Sequence, residues 1–152
     1  MIARSGSEEA LTRMAAVTGY GPPITLENAR KAVAAALAEA ARHEWAMAAA
    51  VVDPAGILVC FEKMDDTQAG SAQVALDKAR SAALFKRPTK AFQDVLAAGG
   101  EGLRVLRLTG AIPVDGGVPL IIQGKIVGAV GVSGGASDQD GQCARAGADA
   151  VR

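Results

Sequence analysis

The stretch IPVDGGVPLIIQGKIVGAVGVSGG, residues 112–135, decides the fold. Residues 118–122 and 125–132 are short apolar runs with β-branched side chains, and Gln123-Gly124 between them favours a tight hairpin. Gly128 and Gly131 interrupt the second run, where glycine marks a bulge or a place that another backbone or a ligand approaches. After Val132 the chain passes through Ser133-Gly134-Gly135-Ala136 into a helical pattern over 139–151, with Ser137 or Asp138 expected as N-cap. A strand, a glycine turn and a helix start expose backbone N–H groups, which together with the helix dipole can receive a carboxylate or phosphate. The competing reading is that these N–H groups are capped within the chain and the glycines serve only backbone geometry.

Working outward, residues 46–52 and 57–63 read as a second hairpin around the turn Asp53-Pro54-Ala55-Gly56. Thr25 is the expected N-cap of an amphipathic helix over 29–42, with Leu26, Val33, Leu37 and Ala41 on one face. Residues 71–85 form a second helix that stops before Pro88, and Thr89 is expected to cap a shorter helix through Ala97. After the break at Gly99-Gly100, residues 101–108 read as either a short helical turn or an edge strand. Residues 1–23 read as an N-terminal arm or linker with a short helix over 8–17, ending in Gly21-Pro22-Pro23 ahead of one domain over 24–152. This order predicts an α/β (α+β) single domain, a mainly antiparallel sheet with helices packed on it.

Composition narrows the function. A chain of 152 residues, half of them apolar, is expected to hold one core of ordinary size. Sixteen basic and sixteen acidic residues cancel, and one Trp, one Tyr and three Phe offer little stacking surface, so nucleic acid is not an expected partner. No apolar run is both long enough and free of glycine and charge to cross a bilayer, and residues 1–20 lack a signal-peptide core; a cytoplasmic protein without a membrane partner is expected. One histidine and two dispersed cysteines, Cys60 and Cys143, do not make a zinc or iron constellation, so no metal site is expected. GVSGG is not the GxSxG elbow of a serine hydrolase.

Three segments, AAAVVDPAGILVCFEKMDD (48–66), ALDKARSAALFKRPT (75–89) and VDGGVPLIIQGKIVGAVGVSGGASDQD (114–140), together resemble the GlcG/HbpS family of haem-binding-like domains, which includes the C-terminal domain of PduO-type corrinoid adenosyltransferases. The resemblance covers residues 24–152 and implies a profilin-like sheet flanked by helices and a homo-oligomer of two to eight subunits. It also implies binding of haem or a corrinoid-related ligand in some members and undefined chemistry in catabolic pathways for others. Where many members carry an arginine and a Met-Asp-Gly run, this chain has Lys63-Met64-Asp65-Asp66.

These observations give a set of candidate residues. An anionic organic ligand, haem or another tetrapyrrole among the candidates, would take backbone donors from Gly116, Gly117, Gly134 and Gly135 and the hydroxyl of Ser133. Arg87, held by the following proline, and Thr89 would contact its carboxylate, while Phe92 supplies apolar wall. Gly134→Val is expected to abolish binding and leave the fold largely intact. His43, at the end of the first helix, is the weak candidate for a haem ligand because the helix dipole alone explains a histidine there. Met47 and Met64 are soft donors that more often serve a core. If the protein is instead a cofactor-independent isomerase, lyase or hydrolase, Asp115 and Asp65 are the candidate acids or bases. Lys78 and Arg80 read as a solvated helix face.

Overall fold

The glycine hairpin forms as its sequence predicts. In the computed structural model, which describes residues 18–152, β3 (Gly117–Ile122) and β4 (Lys125–Ser133) pair antiparallel. Gln123 and Gly124 between them take φ of 51° and 74°, the two positive values of a turn whose twist matches a hairpin. The second hairpin, β1 (Ala48–Val52) with β2 (Leu58–Lys63), is closed by Asp53, whose Oδ1 accepts from the N–H groups of Ala55 and Ile57. β1 also pairs antiparallel with β4, giving one sheet in the order β2-β1-β4-β3.

Among the described residues four α-helices surround it: α1 (Leu26–Arg42), α2 (Ser71–Leu84), α3 (Thr89–Ala97) and α4 (Ser137–Asp149). Strand alternation sorts the core into two layers. Met47, Ala49, Val51, Leu120, Val130 and Val132 pack with α1 and with Cys143 and Ala144 of α4. On the opposite face, Ala48, Ala50, Val52 and Ala129 meet Ala75, Ala79, Ala82 and Ala83 of α2. Gly131 lies on that second face, where a Cβ would strike the Ala75 carbonyl and the Ala79 amide, so α2 rests directly on the backbone of β4.

Several local expectations need correction. The buried stripe of α1 is Ala29, Ala32, Val33, Ala36 and Ala40, whereas Leu26 and Ala41 are exposed and Leu37 is half-buried. Alanines face inward because they let α1 approach its neighbours closely; weighting the larger Leu side chains had turned the expected face away. Thr25 does cap α1, accepting from the Asn28 N–H at 3.2 Å. Thr89, in contrast, is the first residue of α3 behind Pro88 and spends its hydroxyl on the Gly117 N–H at 2.9 Å. The N-cap of α4 is Ala136, earlier than expected, and its N–H donates to Gln139 Oε1 at 3.0 Å. Residues 100–107 form a 3-10 helix rather than an edge strand.

Part of the expected arm is within view. Gly19 and Gly21 exchange backbone bonds with Ile126, and the Tyr20 hydroxyl donates to the Ala83 carbonyl at 2.7 Å. The helix expected over 8–17 lies outside the described residues. No helix among those described is long and apolar enough to cross a membrane.

Candidate functional site

The ends of three strands align where Ala48 pairs with both Lys63 and Ser133, and Gly116 joins them by accepting from the Val132 N–H at 2.8 Å. A chain of buried polar groups lies at this end of the apolar sheet. Its centre is Lys78, only 1% exposed, whose Nζ donates to the Val132 carbonyl at 3.1 Å and to Asp140 Oδ2 at 2.8 Å. The solvated reading of Lys78 is therefore overturned, while Arg80 is exposed. Lys78 stands three residues from Ala75 and four from Ala82, on the stripe of α2 that faces the sheet. Gly116 leaves room for its ammonium, because a Cβ there would come within 2.8 Å of Nζ. Since α2 and α4 cover opposite faces, the pair joins the two layers past the start of β3.

The proposed backbone donors are engaged within the chain. Asp140 Oδ1 accepts from the Gly135 N–H at 2.9 Å, and the Gly134 N–H lies near the same carboxylate. Burial pushes the Asp140 carboxyl above its usual range, opposed by Lys78 and those glycine N–H groups. Gly116 donates to Asp115 Oδ1 at 2.8 Å and Gly117 to Thr89 Oγ1. Gly134 has φ of 152°, and a Cβ on it would strike the Ala46 carbonyl, so Gly134→Val disturbs the fold and is not the clean ligand probe expected of it.

The remaining candidates fall into separate groups. Ser133 Oγ lies 3.2 Å from Ser71 Oγ, which also accepts from Gln68 Nε2 at 2.9 Å. Asp115 is 3% exposed, with Arg145 3.5 Å from its Oδ2 and its N–H donated to Gln93. Arg87 lies over the Phe92 ring and donates to the Phe85 carbonyl, beyond the opposite end of α2 from Ser71. Asp65 is exposed after β2, across the sheet from Asp115 by three strand spacings, about 14 Å. Two carboxylates so far apart do not share one small substrate.

The soft and nitrogen donors are also committed. His43 stacks on Trp45, and its Nε2 lies 3.1 Å from both Glu39 Oε1 and Gln142 Nε2. Met64 Sδ accepts from the Met47 N–H, and Met47 is fully buried. The sequence reading missed Ser71 and Asp140 as members of the polar cluster. The position of Lys78 on an alanine stripe was a readable signal for its burial, whereas Ser71 gave none.

Comparison with known proteins gives a consistent picture. The model of the family described as haem degrading protein HbpS-like matches residues 24–149. Protein GlcG of Escherichia coli is 36% identical over 110 residues, 72% of this chain and 81% of GlcG. A double mutant of HbpS from Streptomyces reticuli superposes with a TM-score of 0.79 at 29% identity, covering 100% of this chain and 96% of that one. A PduOC:haem complex shares the fold, with a TM-score of 0.76 at 24% identity over 86% of this chain and 96% of its own.

Proposed function

This chain belongs to the HbpS-like family, and from that premise we propose that it is a small-molecule-binding protein whose ligand is an anionic organic molecule, with haem the tetrapyrrole to test first. The observation that carries this reading is the buried polar cluster of Ser71, Lys78, Asp115, Ser133 and Asp140 at one end of an otherwise apolar sheet. The ligand's carboxylate would approach over Ser133, Gly134 and Gly135, with Gly116, Gly117 and Thr89 behind them, while Arg87 and Phe92, beyond the other end of α2, stand outside this site. Gly135 is exposed and Gly134 half-buried, so this edge is open to solvent.

The residues fit the propionates of a haem better than its iron. Ligation by His43 would break its contacts with Glu39 and Gln142, and the two methionine sulfurs lie in the core or accept a backbone bond. When bound, haem supplies redox and ligand-binding chemistry; the chain's own part is to hold the carboxylates and exclude water. The protein is further proposed to be cytoplasmic and homo-oligomeric, with the exposed Leu103, Leu106 and Leu108 suited to subunit contact.

The test is an absorbance titration with haem. A shifted Soret band saturating at a fixed ratio per subunit, unchanged in His43→Ala, is the expected result; no saturable shift would remove haem from the reading. One observation favours an enzyme acting on a small organic acid: Asp115 is buried beside Gly116 with Arg145 near it. On that alternative Asp115→Asn keeps ligand binding and loses turnover, while a carrier keeps its function.

A further inference from the structure

We propose that the N-terminal pole of α2 is a receiving site for a small carboxylate, formed by Thr67, Ser71, Ser133 and the first free N–H groups of the helix. It deepens the reading of an anionic ligand by naming where one carboxylate goes. The loop from Met64 to Gly70 leaves the sheet at the Met47 carbonyl, which accepts from the Met64 N–H, and enters α2 through the bond from Ser71 N–H to the Gln68 carbonyl. Asp65, Asp66, Gln68, Ala69 and Gly70 face solvent, and only Thr67 turns inward, 8% exposed. Its Oγ1 is buried with no partner among the described residues. A buried hydroxyl left unsatisfied costs stability, so its persistence points to a group that is bound there in use.

The other unmet groups at this pole are also donors. Two hydroxyl protons belong to the Ser71–Ser133 pair; one lies between the two oxygens, and the other has no acceptor among the described residues. Gly70 gives α2 no side-chain cap, and while Val74 N–H reaches the Gly70 carbonyl, Ala72 and Gln73 N–H have no acceptor among the described residues. Hydroxyl and amide donors with no cationic side chain suit a single negative charge backed by the helix dipole. The exposed Asp65 and Asp66 on the covering loop disfavour a dianion such as phosphate. A carboxylate meets both conditions.

The experiment is an amide NMR titration of the full chain with sodium acetate, against sodium phosphate and sodium chloride at matched ionic strength. Saturable shifts at Ala72 and Gln73 with acetate alone are expected. Thr67→Val should weaken acetate about tenfold, the loss of a hydrogen bond to a charged group, while raising the melting temperature of the ligand-free protein by about 2–4 °C. Equal responses to chloride, unchanged acetate affinity in Thr67→Val, or shifts confined to other regions would overturn the site. If Thr67→Val fails to fold, the wild-type comparison of acetate with chloride still decides. Haem binding is read separately, so failure of the Soret titration with acetate saturation intact overturns the haem reading and leaves this one standing.

Discussion

The two faces of the sheet are built on different rules. Against α1 and α4 the strands present Met47, Val51, Leu120, Val130 and Val132, side chains that fill the space between layers. Against α2 they present Ala48, Ala50, Ala129 and Gly131, so helix and strand approach backbone to backbone. The first face tolerates loss of volume at a graded cost, whereas the second has no volume to adjust. The buried polar groups Ser71, Ser133 and Lys78 all come from the α2 face, where short side chains leave backbone carbonyls within reach.

The sharpest way to break this contrast is to add one methyl group on the tight side. Gly131→Ala should cost about 5 kcal/mol, enough to leave little native protein, because its Cβ meets backbone on α2; cooperative unfolding in urea near the wild-type midpoint would contradict the close approach. Lys78→Met is next, at about 4 kcal/mol, since it strands the Asp140 carboxylate in the interior. The double variant Lys78→Met, Asp140→Leu should recover most of that loss in the same denaturation assay. On the looser face Leu120→Ala removes volume without a backbone clash, for an expected loss of about 3 kcal/mol.

The smallest effect concerns Cys143 on α4. Burial, with lesser contributions from Glu39 and Asp140, pushes its thiol up to about 11 from an ordinary 9.0. The folded state therefore holds this proton where the unfolded chain releases it, so stability present below pH 9 is lost as pH rises towards 11. Urea midpoints measured across that window should fall in the wild type and fall less steeply in Cys143→Ala.

Much of this was legible because it is local. Short apolar runs around Gln123-Gly124 and Asp53 to Gly56 carried both hairpins, and the proline at 88 marked the end of α2, whereas its alanine face at 75, 79 and 82 went unread. What stayed hidden depends on distant partners. Nothing near Lys78 in sequence says that its ammonium will meet Asp140, or that Thr89 will turn from its own helix to Gly117. Lys78 was read as solvated because charge was weighed by residue type rather than by its place on the alanine stripe. Residues 101–108 mix charge and leucine without the spacing of either element, and the 3-10 helix they form buries only Val105.

The span of the Lys78–Asp140 pair sets when it can form. The two residues are 62 apart in the chain, and their meeting requires the β3–β4 hairpin to stand between them with α2 and α4 already on their own sides. Closing so long a loop yields nothing until those pieces are in position. The pair is thus expected to form late on the folding path, and its removal to shorten the lifetime of the native state much more than it delays arrival there, which unfolding and refolding rates of Lys78→Met, Asp140→Leu would check.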